Sequence, residues 1–211
     1  MTQGTGSRVM AALEELLNHP RIWRGRGAAT AKTPTRSSGF VPLDRALHGG
    51  WPQGQLIELI GGPFGCGETR MLLPVLAACA REGLRVILVA PPATPWIPGW
   101  RQLGIDPEQI LLIDTDCTED VVWCCEQFLR QPCTGVLLAW LPEAGTGALR
   151  RLRLAAAAGN ACSFLYRPPL AARQPSPAHL RIRWEACQDH LQLQILKCTG
   201  ATPPQERPTR I

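Results

Sequence analysis

Residues 62–69 form a phosphate-binding loop motif in which one residue is changed. The segment reads Gly62-Pro63-Phe64-Gly65-Cys66-Gly67-Glu68-Thr69 and matches G-x-x-x-x-G-K-[ST] except at Glu68, where the lysine belongs. That lysine normally reaches the β- and γ-phosphates of a nucleotide, so a carboxylate there presents the wrong charge. An apolar run, Leu56–Ile60, precedes the loop, and a helical pattern from Met71 to Arg81 follows it. The segment therefore predicts a nucleotidase fold that has lost its nucleotidase chemistry.

The loop glycines have two interpretations. Gly62, Gly65 and Gly67 can be kept because a strand-to-helix turn needs positive φ, whether or not a ligand binds. Alternatively, nucleotide can still bind without being hydrolysed, because amides at a helix N-terminus attract phosphate. Thr69 keeps a hydroxyl that can bind magnesium, although no second magnesium ligand is evident. The first interpretation is preferred, and no cofactor is expected.

The chain is long enough for one α/β domain with its own core. It has 211 residues, of which 45% are hydrophobic, and no apolar run is long enough to span a bilayer. Met1 to Arg8 lack the apolar stretch of a signal peptide, so a cytoplasmic protein without membrane contact is expected. The nine cysteines include no C-x-x-C pair and are expected to be buried in a reducing compartment. No metal site is expected.

Short apolar runs alternate with helical patterns through the middle of the chain. The predicted strands are Leu56–Ile60, Val86–Ala90, Ile110–Asp114, Val136–Trp140 and Ser163–Tyr166. The predicted helices are Glu68–Glu82, Trp96–Leu103, Glu119–Arg130 and Gly147–Ala158. This alternation predicts a phosphate-loop α/β core, residues 39–198, with a mostly parallel sheet.

Two segments with alternating apolar residues follow this core pattern. They predict an antiparallel hairpin at the sheet edge, and we expect its apolar positions to bind a partner. Those positions are Leu180, Ile182, Trp184, Leu191, Leu193 and Ile195. Residues 199–211 contain three prolines and are expected to be a disordered tail.

Three of the predicted strands end without the acids of a phosphate-loop ATPase. Such an enzyme needs an acid to hold magnesium, a base to orient water and a sensor of the γ-phosphate. Val136–Trp140 ends in Ala-Trp, Val86–Ala90 runs into two prolines, and Ser163–Tyr166 runs into Arg167-Pro168. We therefore expect no enzymatic activity and no catalytic residue.

The N-terminal region is predicted to be an arm that contacts a partner. It comprises residues 1–24, with an amphipathic helix, and a flexible linker over 25–38. The expected partner-binding side chains are Val9, Met10, Leu13, Leu16, Leu17 and Trp23. Arg21, Arg24 and Arg26 form a basic group that suits acidic protein or, weakly, DNA. Packing of the helix on its own core, or in a homo-oligomer, stays open.

The lead-in to the loop resembles that of RecA-type recombinases. It runs from Ser38-Gly39-Phe40 through Leu43-Asp44 to His48-Gly49-Gly50-Trp51-Pro52 and Gly54-Gln55-Leu56. More narrowly, the chain resembles the ImuA family. The supporting stretches are Pro20–Gly25, Ala90–Pro92, Phe164–Pro168, Gln174–Arg181 and Leu193–Lys197.

The ImuA resemblance implies a non-catalytic adaptor in SOS-induced mutagenic translesion synthesis. Its implied partners are ImuB, an inactive Y-family polymerase homologue, together with RecA and, indirectly, an error-prone DnaE-type polymerase. The second half of the chain also resembles SulA, which implies a division inhibitor that binds FtsZ. An active RecA-type ATPase is a third candidate, against which Glu68 speaks.

Overall fold

The computed structural model describes residues 33–65, 67–200 and 208–211. The predicted helix and arm over residues 1–24, most of the predicted linker and part of the predicted tail lie outside these ranges. The expected contacts of Trp23, of Arg21, Arg24 and Arg26, and of the apolar residues between Val9 and Leu17 therefore remain predictions.

Ten strands and five α-helices make up the described chain. The strands are β1 Thr35–Arg36, β2 Trp51–Pro52, β3 Gln55–Ile60, β4 Arg85–Val89, β5 Ile110–Ile113, β6 Thr134–Trp140, β7 Cys162–Arg167, β8 Leu180–Ala186, β9 Leu191–Cys198 and β10 Thr209–Arg210. The helices are α1 Val41–Ala46, α2 Leu73–Arg81, α3 Ile97–Gln102, α4 Thr118–Leu129 and α5 Thr146–Ala158. Short 3₁₀ helices cover Glu68–Leu72, Pro107–Gln109 and Pro169–Arg173.

The main sheet has eight strands in the order β10-β9-β8-β3-β7-β6-β4-β5. The pairs from β8 through β3, β7, β6 and β4 to β5 are parallel, whereas β9 pairs antiparallel with β8 and β10 with β9. This arrangement confirms the predicted mostly parallel α/β core with an antiparallel hairpin towards one edge. The central strands are apolar throughout because helices cover both faces of the sheet.

Two hydrophobic layers flank the sheet. One contains side chains of α1 and α2 and the alternate residues of β3 that include Ile57 and Leu59. The other contains side chains of α4 and α5 together with Leu56 of β3. Because side chains alternate along a strand, Glu58 projects to the same face as Leu56, towards the α4 and α5 layer.

The predicted helix over Glu68–Glu82 is divided into two elements. Residues Glu68–Leu72 form a 3₁₀ helix, and α2 begins at Leu73 with Pro74 in its first turn. Proline has no N–H to donate to the preceding turn, and its ring suits the first turn of a new helix. Pro74 therefore separates the end of the phosphate loop from the regular helix.

The folded core includes residues that precede its predicted boundary at Gly39. β1 pairs antiparallel with β2, and Arg36 makes a bidentate ion pair with Glu82 at 2.6 and 2.7 Å. Asp44 of α1 accepts hydrogen bonds from the Ser38 N–H at 2.7 Å and the Ser37 hydroxyl at 2.6 Å. Residues 34–38 therefore belong to the folded core, and assigning them to a flexible linker was wrong.

The last residues of the predicted tail pair with the main sheet. Thr209 and Arg210 of β10 pair with Leu193 and Gln192, and the backbone of Ile211 exchanges two hydrogen bonds with Leu191. The prediction of a disordered tail is wrong for these last residues. Their backbone satisfies part of the edge of β9, which the proline content of the tail did not reveal.

Burial of the cysteines is mixed. Cys79, Cys125 and Cys162 are buried, as expected, whereas Cys117, Cys133 and Cys187 are exposed, contrary to the prediction. None of the helices in the described ranges combines the length and apolar composition that crossing a bilayer requires.

Candidate functional site

The phosphate-binding loop connects β3 to the 3₁₀ helix that precedes α2. Gly65 and Gly67 have φ angles of 88° and 91°, in the left-handed region that favours glycine. A Cβ atom added to either residue would contact no other atom within 4 Å. Backbone conformation rather than crowding therefore explains why these two positions are glycine.

The Glu68 carboxylate lies inside the loop. The Gly65 N–H donates to Oε1 and Oε2 of Glu68, each at 3.0 Å, and only 4% of Glu68 is exposed. In a functional phosphate loop, backbone N–H groups of this kind face the phosphates of the ligand. Here the anion is the Glu68 carboxylate of the same chain. It accepts the hydrogen bond that the Gly65 N–H would donate to a phosphate in a functional loop.

An aromatic floor lies beneath the loop. The Tyr166 ring stacks on Trp140 with centroids 4.9 Å apart, and Phe64 meets Tyr166 edge-on at 6.0 Å. Phe64 also lies 6.5 Å from Trp184, which packs against Gly61. Large aromatic rings therefore fill the space under the loop, between the ends of β3, β6, β7 and β8.

The Tyr166 hydroxyl connects this floor to the loop. It donates to the Glu68 carbonyl oxygen at 3.4 Å. Burial raises the pKa of Tyr166, so the phenol is neutral. The Thr69 hydroxyl, which would hold magnesium in an active phosphate loop, lies near this phenol.

The strand ends next to the loop carry no carboxylate. β4 is followed by Ala90, β6 ends at the buried Trp140, and β7 ends at the buried Arg167. The described acid nearest to the end of β6 in sequence is Glu143, which is exposed. The sequence correctly placed Ala139-Trp140 at the end of its strand. That the missing carboxylates prevent ATP hydrolysis remains a proposal.

A buried ion triad, which sequence analysis missed, lies on the face of the sheet that α5 covers. Glu58 of β3 accepts from Arg181 Nε at 2.6 Å and from Arg167 Nη1 at 3.3 Å, and Glu58 is 1% exposed. Arg181 also donates to the Ala171 carbonyl at 2.7 Å. Burial lowers the pKa of Arg167, and Arg181 acts in the same direction against Glu58. The only sequence signal was a lone acid in the apolar strand Leu56–Ile60.

A cavity of about 400 Å³ opens beside the phosphate loop. It is lined by Phe40, Gly67, Arg70, Met71, the β8–β9 turn from Cys187 to Leu191, and Ile211. Arg70 is exposed and lies two residues beyond the changed lysine position. A second cavity, of about 440 Å³, is lined by Arg167, Gln174, Glu143 and Gly145 at the start of α5.

The apolar residues of the hairpin are not a free docking face. Leu180, Ile182, Trp184, Leu191 and Leu193 are buried in the core, and Ile195 is partly buried against it. The prediction that these side chains bind a partner is therefore wrong for the folded protein. The alternation correctly indicated one apolar face, but that face belongs to the hydrophobic layer that also contains side chains of α1 and α2.

The described residues contain no group of three or more histidine, cysteine or acidic side chains arranged to hold a metal ion. The candidate site consists of the phosphate loop with the Glu68 carboxylate inside it, the aromatic floor beneath the loop and the cavity of about 400 Å³ beside it. Gly62, Gly65, Gly67, Glu68 and Thr69 lie together there because they belong to one eight-residue segment of the chain.

Comparison with known proteins gives a RecA relationship. No protein-family model matches the chain. It is 30% identical over 132 residues to Protein RecA of Rippkaea orientalis, which covers 62% of this chain and 37% of that protein. It is also 30% identical over 125 residues to Protein RecA of Prochlorococcus marinus strain AS9601, covering 59% of this chain and 34% of that protein. The chain thus spans about a third of the length of these relatives, and its α/β core is RecA-like.

Proposed function

We propose that this protein is a non-catalytic adaptor of RecA ancestry that works in SOS-induced mutagenic translesion synthesis. The observation that carries this proposal is the Glu68 carboxylate, which accepts the Gly65 N–H inside the phosphate loop. A RecA-like core that occupies its own anion site is suited to binding proteins rather than to turning over nucleotide.

The chemistry of the loop region argues against ATP hydrolysis. A bound triphosphate would meet the Glu68 carboxylate, and the two negative charges would repel each other in a partly desolvated site. Magnesium would lack an acid from the ends of β4, β6 or β7, and the Thr69 hydroxyl is near Tyr166. Phosphoryl transfer depends on positioning and on charge stabilisation, and the placement of Glu68 together with the strand ends supports a chain that provides neither.

The surface around β5 favours a partner-binding role. β5 is the last strand of the sheet, and no described residue pairs with its outer edge. Leu111 and Leu112 of β5 are exposed, as are Trp96, which precedes α3, and Trp123 of α4. An uncovered apolar edge strand is a template for pairing with another chain.

The proposed partners follow from the resemblance to the ImuA family. They are an ImuB-like inactive Y-family polymerase homologue and RecA, with a DnaE-type polymerase joined indirectly. RecA would be engaged by subunit mimicry, with Val9, Leu13 and Leu16 of the N-terminal arm packing on a neighbouring RecA core. Without a working nucleotide site, such a subunit would join a filament and not support ATP-driven turnover.

Steady-state phosphate release by the purified protein, with and without single-stranded DNA, tests the non-catalytic part of the proposal. We expect no turnover above background in either condition. DNA-stimulated phosphate release that the Thr69→Ala variant abolished would contradict the proposal.

Co-purification tests the adaptor part. We expect the full chain to retain the ImuB-like protein and RecA, and not FtsZ, and Leu111→Asp with Leu112→Asp to weaken retention. The matched control is Leu154→Asp with Leu170→Asp, two exposed leucines on other elements. Deletion of residues 1–24 is expected to remove RecA binding alone, and retention of FtsZ instead would favour the SulA-like function.

A further inference from the structure

The outer edge of β5 has backbone groups that no described strand pairs with. β5 lies at the end of the sheet and pairs in parallel with β4 alone among the described strands. The Ile113 carbonyl oxygen accepts the Ala90 N–H on the β4 side. Because the carbonyl groups of successive strand residues point to alternate sides, the Leu112 carbonyl oxygen points to the outer edge. An extended segment of another chain can therefore pair with this edge through main-chain hydrogen bonds.

Each face of the sheet exposes one leucine next to this edge. Leu111 is in register with Ile87, which belongs to the layer of α4 and α5, and Leu112 is in register with Leu88, which belongs to the layer of α1 and α2. The two leucines are 40% and 42% exposed. Successive side chains of an added strand alternate between the two faces. Neighbouring apolar residues in such a strand would therefore each cover one leucine.

The charge around this edge is opposite in sign to that of the whole chain. Residues 106–120 contain six acidic residues and no lysine or arginine, although the chain has a net charge of +5. Two of the acids precede β5 and four follow it, and all six are exposed. We call them the flanking acids: Asp106, Glu108, Asp114, Asp116, Glu119 and Asp120.

The described residues do not neutralise the flanking acids. None of the ion pairs between described residues includes one of them. Arg85 donates to the carbonyl oxygen of Glu108 and not to its carboxylate. Glu119 and Asp120 precede the exposed Trp123 by four and three residues on α4, so they neighbour its ring on the helix surface. An aromatic ring beside carboxylates favours an arginine or lysine side chain.

We propose that the outer edge of β5 binds an extended segment of a partner protein in which apolar residues are flanked by arginine or lysine residues. The apolar residues would cover Leu111 and Leu112, and the basic residues would meet the flanking acids beyond both ends of β5. The negative charge at this edge disfavours nucleic acid, because phosphates would be repelled. Charge complementarity would also steer the basic segment to the edge.

The chemistry of the partner segment deepens the proposed adaptor function and rests on it, because that function assigns partner binding to the surface around β5. A synthetic peptide can replace the partner protein in the test. Binding of the basic segment is then measured separately from retention of the ImuB-like protein and RecA.

The test is fluorescence anisotropy of a labelled peptide, four valines flanked by two arginines at each end, added to the intact chain. The test variant is Asp114→Asn with Asp116→Asn, and the charge-matched control is Glu143→Gln with Glu185→Gln, two exposed acids elsewhere. Exposed ion pairs are individually weak, so we expect the test variant to bind the peptide about three- to tenfold less tightly at low salt. The control should bind it unchanged, and the difference should disappear at about 1 M salt. Circular dichroism and thermal melting check that both variants are folded.

Two further peptides separate charge from main-chain pairing. One has glutamates in place of the arginines, and the other has N-methylated valines, which cannot donate main-chain hydrogen bonds. We expect neither to bind measurably. Equal binding of either peptide overturns the proposal, as does absence of binding by the arginine peptide or an equal loss in the control variant. Tighter binding of a peptide with the basic sequence of residues 20–32 also overturns it, because a second copy of this chain would then supply the segment.

The peptide assay and the co-purification can fail independently. If the arginine peptide binds as expected but the chain retains neither the ImuB-like protein nor RecA, the adaptor function fails and the basic-segment proposal stands. If the arginine peptide does not bind while Leu111→Asp with Leu112→Asp still weakens partner retention, the basic-segment proposal fails and the adaptor function stands.

Discussion

The backbone N–H of Gly65 donates to both carboxylate oxygens of Glu68, three residues further along the chain, at 3.0 Å each. Glu68 is the single departure from the phosphate-loop motif. It removes the phosphate-binding lysine, and it also holds the loop together through its hydrogen bonds to Gly65. The carboxylate stands in for the anion that the loop would otherwise bind. Its fixed position joins the loop to the first turn of the 3₁₀ helix.

Removing this internal carboxylate should restore anion binding to the loop. Hydrogen bonds to a charged group contribute about 1.5–3 kcal/mol, so Glu68→Ala should bind inorganic triphosphate about tenfold or more tightly than the unchanged chain. Isothermal titration calorimetry measures the difference, with the exposed Glu119→Ala as the control for lost negative charge. If both variants bind triphosphate equally, the carboxylate does not occupy the anion site.

Restoring the lysine should not restore hydrolysis. Glu68→Lys supplies the missing phosphate-binding cation, but β6 still ends in Ala139-Trp140 without an acid for magnesium. We expect tighter triphosphate binding than in the unchanged chain and no phosphate release above background. Measurable turnover by this variant would show that another group completes the site.

Glu58 should be far more important to stability than an acid whose partner is an exposed arginine. Glu58→Gln would leave Arg167 and Arg181 buried without a counter-ion, which costs about 3–5 kcal/mol of unfolding free energy. The control is Glu126→Gln, which breaks the pair with the largely exposed Arg151 and should cost much less. Urea denaturation of both variants gives the comparison. Similar losses of unfolding free energy in the two variants would mean that the charge of Glu58 does not stabilise the buried triad.

Gly61 should tolerate no side chain. A Cβ atom there would lie 2.5 Å from the Trp184 ring, so Gly61→Ala must displace the aromatic floor of the loop. Overpacking of this kind costs about 1–3 kcal/mol. Gly145→Ala is the control because a Cβ atom there meets nothing and φ is −70°. Thermal melts of the two variants that coincide would contradict the packing argument.

His179 should make the folded state less stable as pH falls. Its folded pKa lies below the usual 6.5, so below that pH the unfolded chain binds more protons than the folded chain. Burial lowers this pKa most, Lys197 and Arg153 lower it further, and Glu58 is an acid that acts on Lys197 and is bonded to Arg181. His179→Gln should therefore lose less stability than the unchanged chain between about pH 7.5 and 5.5. Denaturant titrations at each pH measure this, with His190→Gln as the control.

The sequence alone determined the elements of the core and the identity of the changed loop. Apolar runs of strand length alternate with helical patterns, and both signals arise from residues within a few positions of one another. The motif around Glu68 is likewise local, so its glycines and its missing lysine could be interpreted directly. Pro74 was an available local signal for dividing the predicted helix over Glu68–Glu82.

Only the tertiary structure decided what the charged residues and the hairpin do. Glu58 meets Arg167 and Arg181 across 109 and 123 residues of sequence, and no local pattern specifies such a pairing. Alternation in the hairpin indicated an apolar face, but whether the core or a partner covers that face depends on how β8 docks beside β3. The direction of the Glu68 side chain depends on left-handed glycines that bring the Gly65 N–H towards it. Residue type fixed which interactions were available, and the packing of distant segments selected among them.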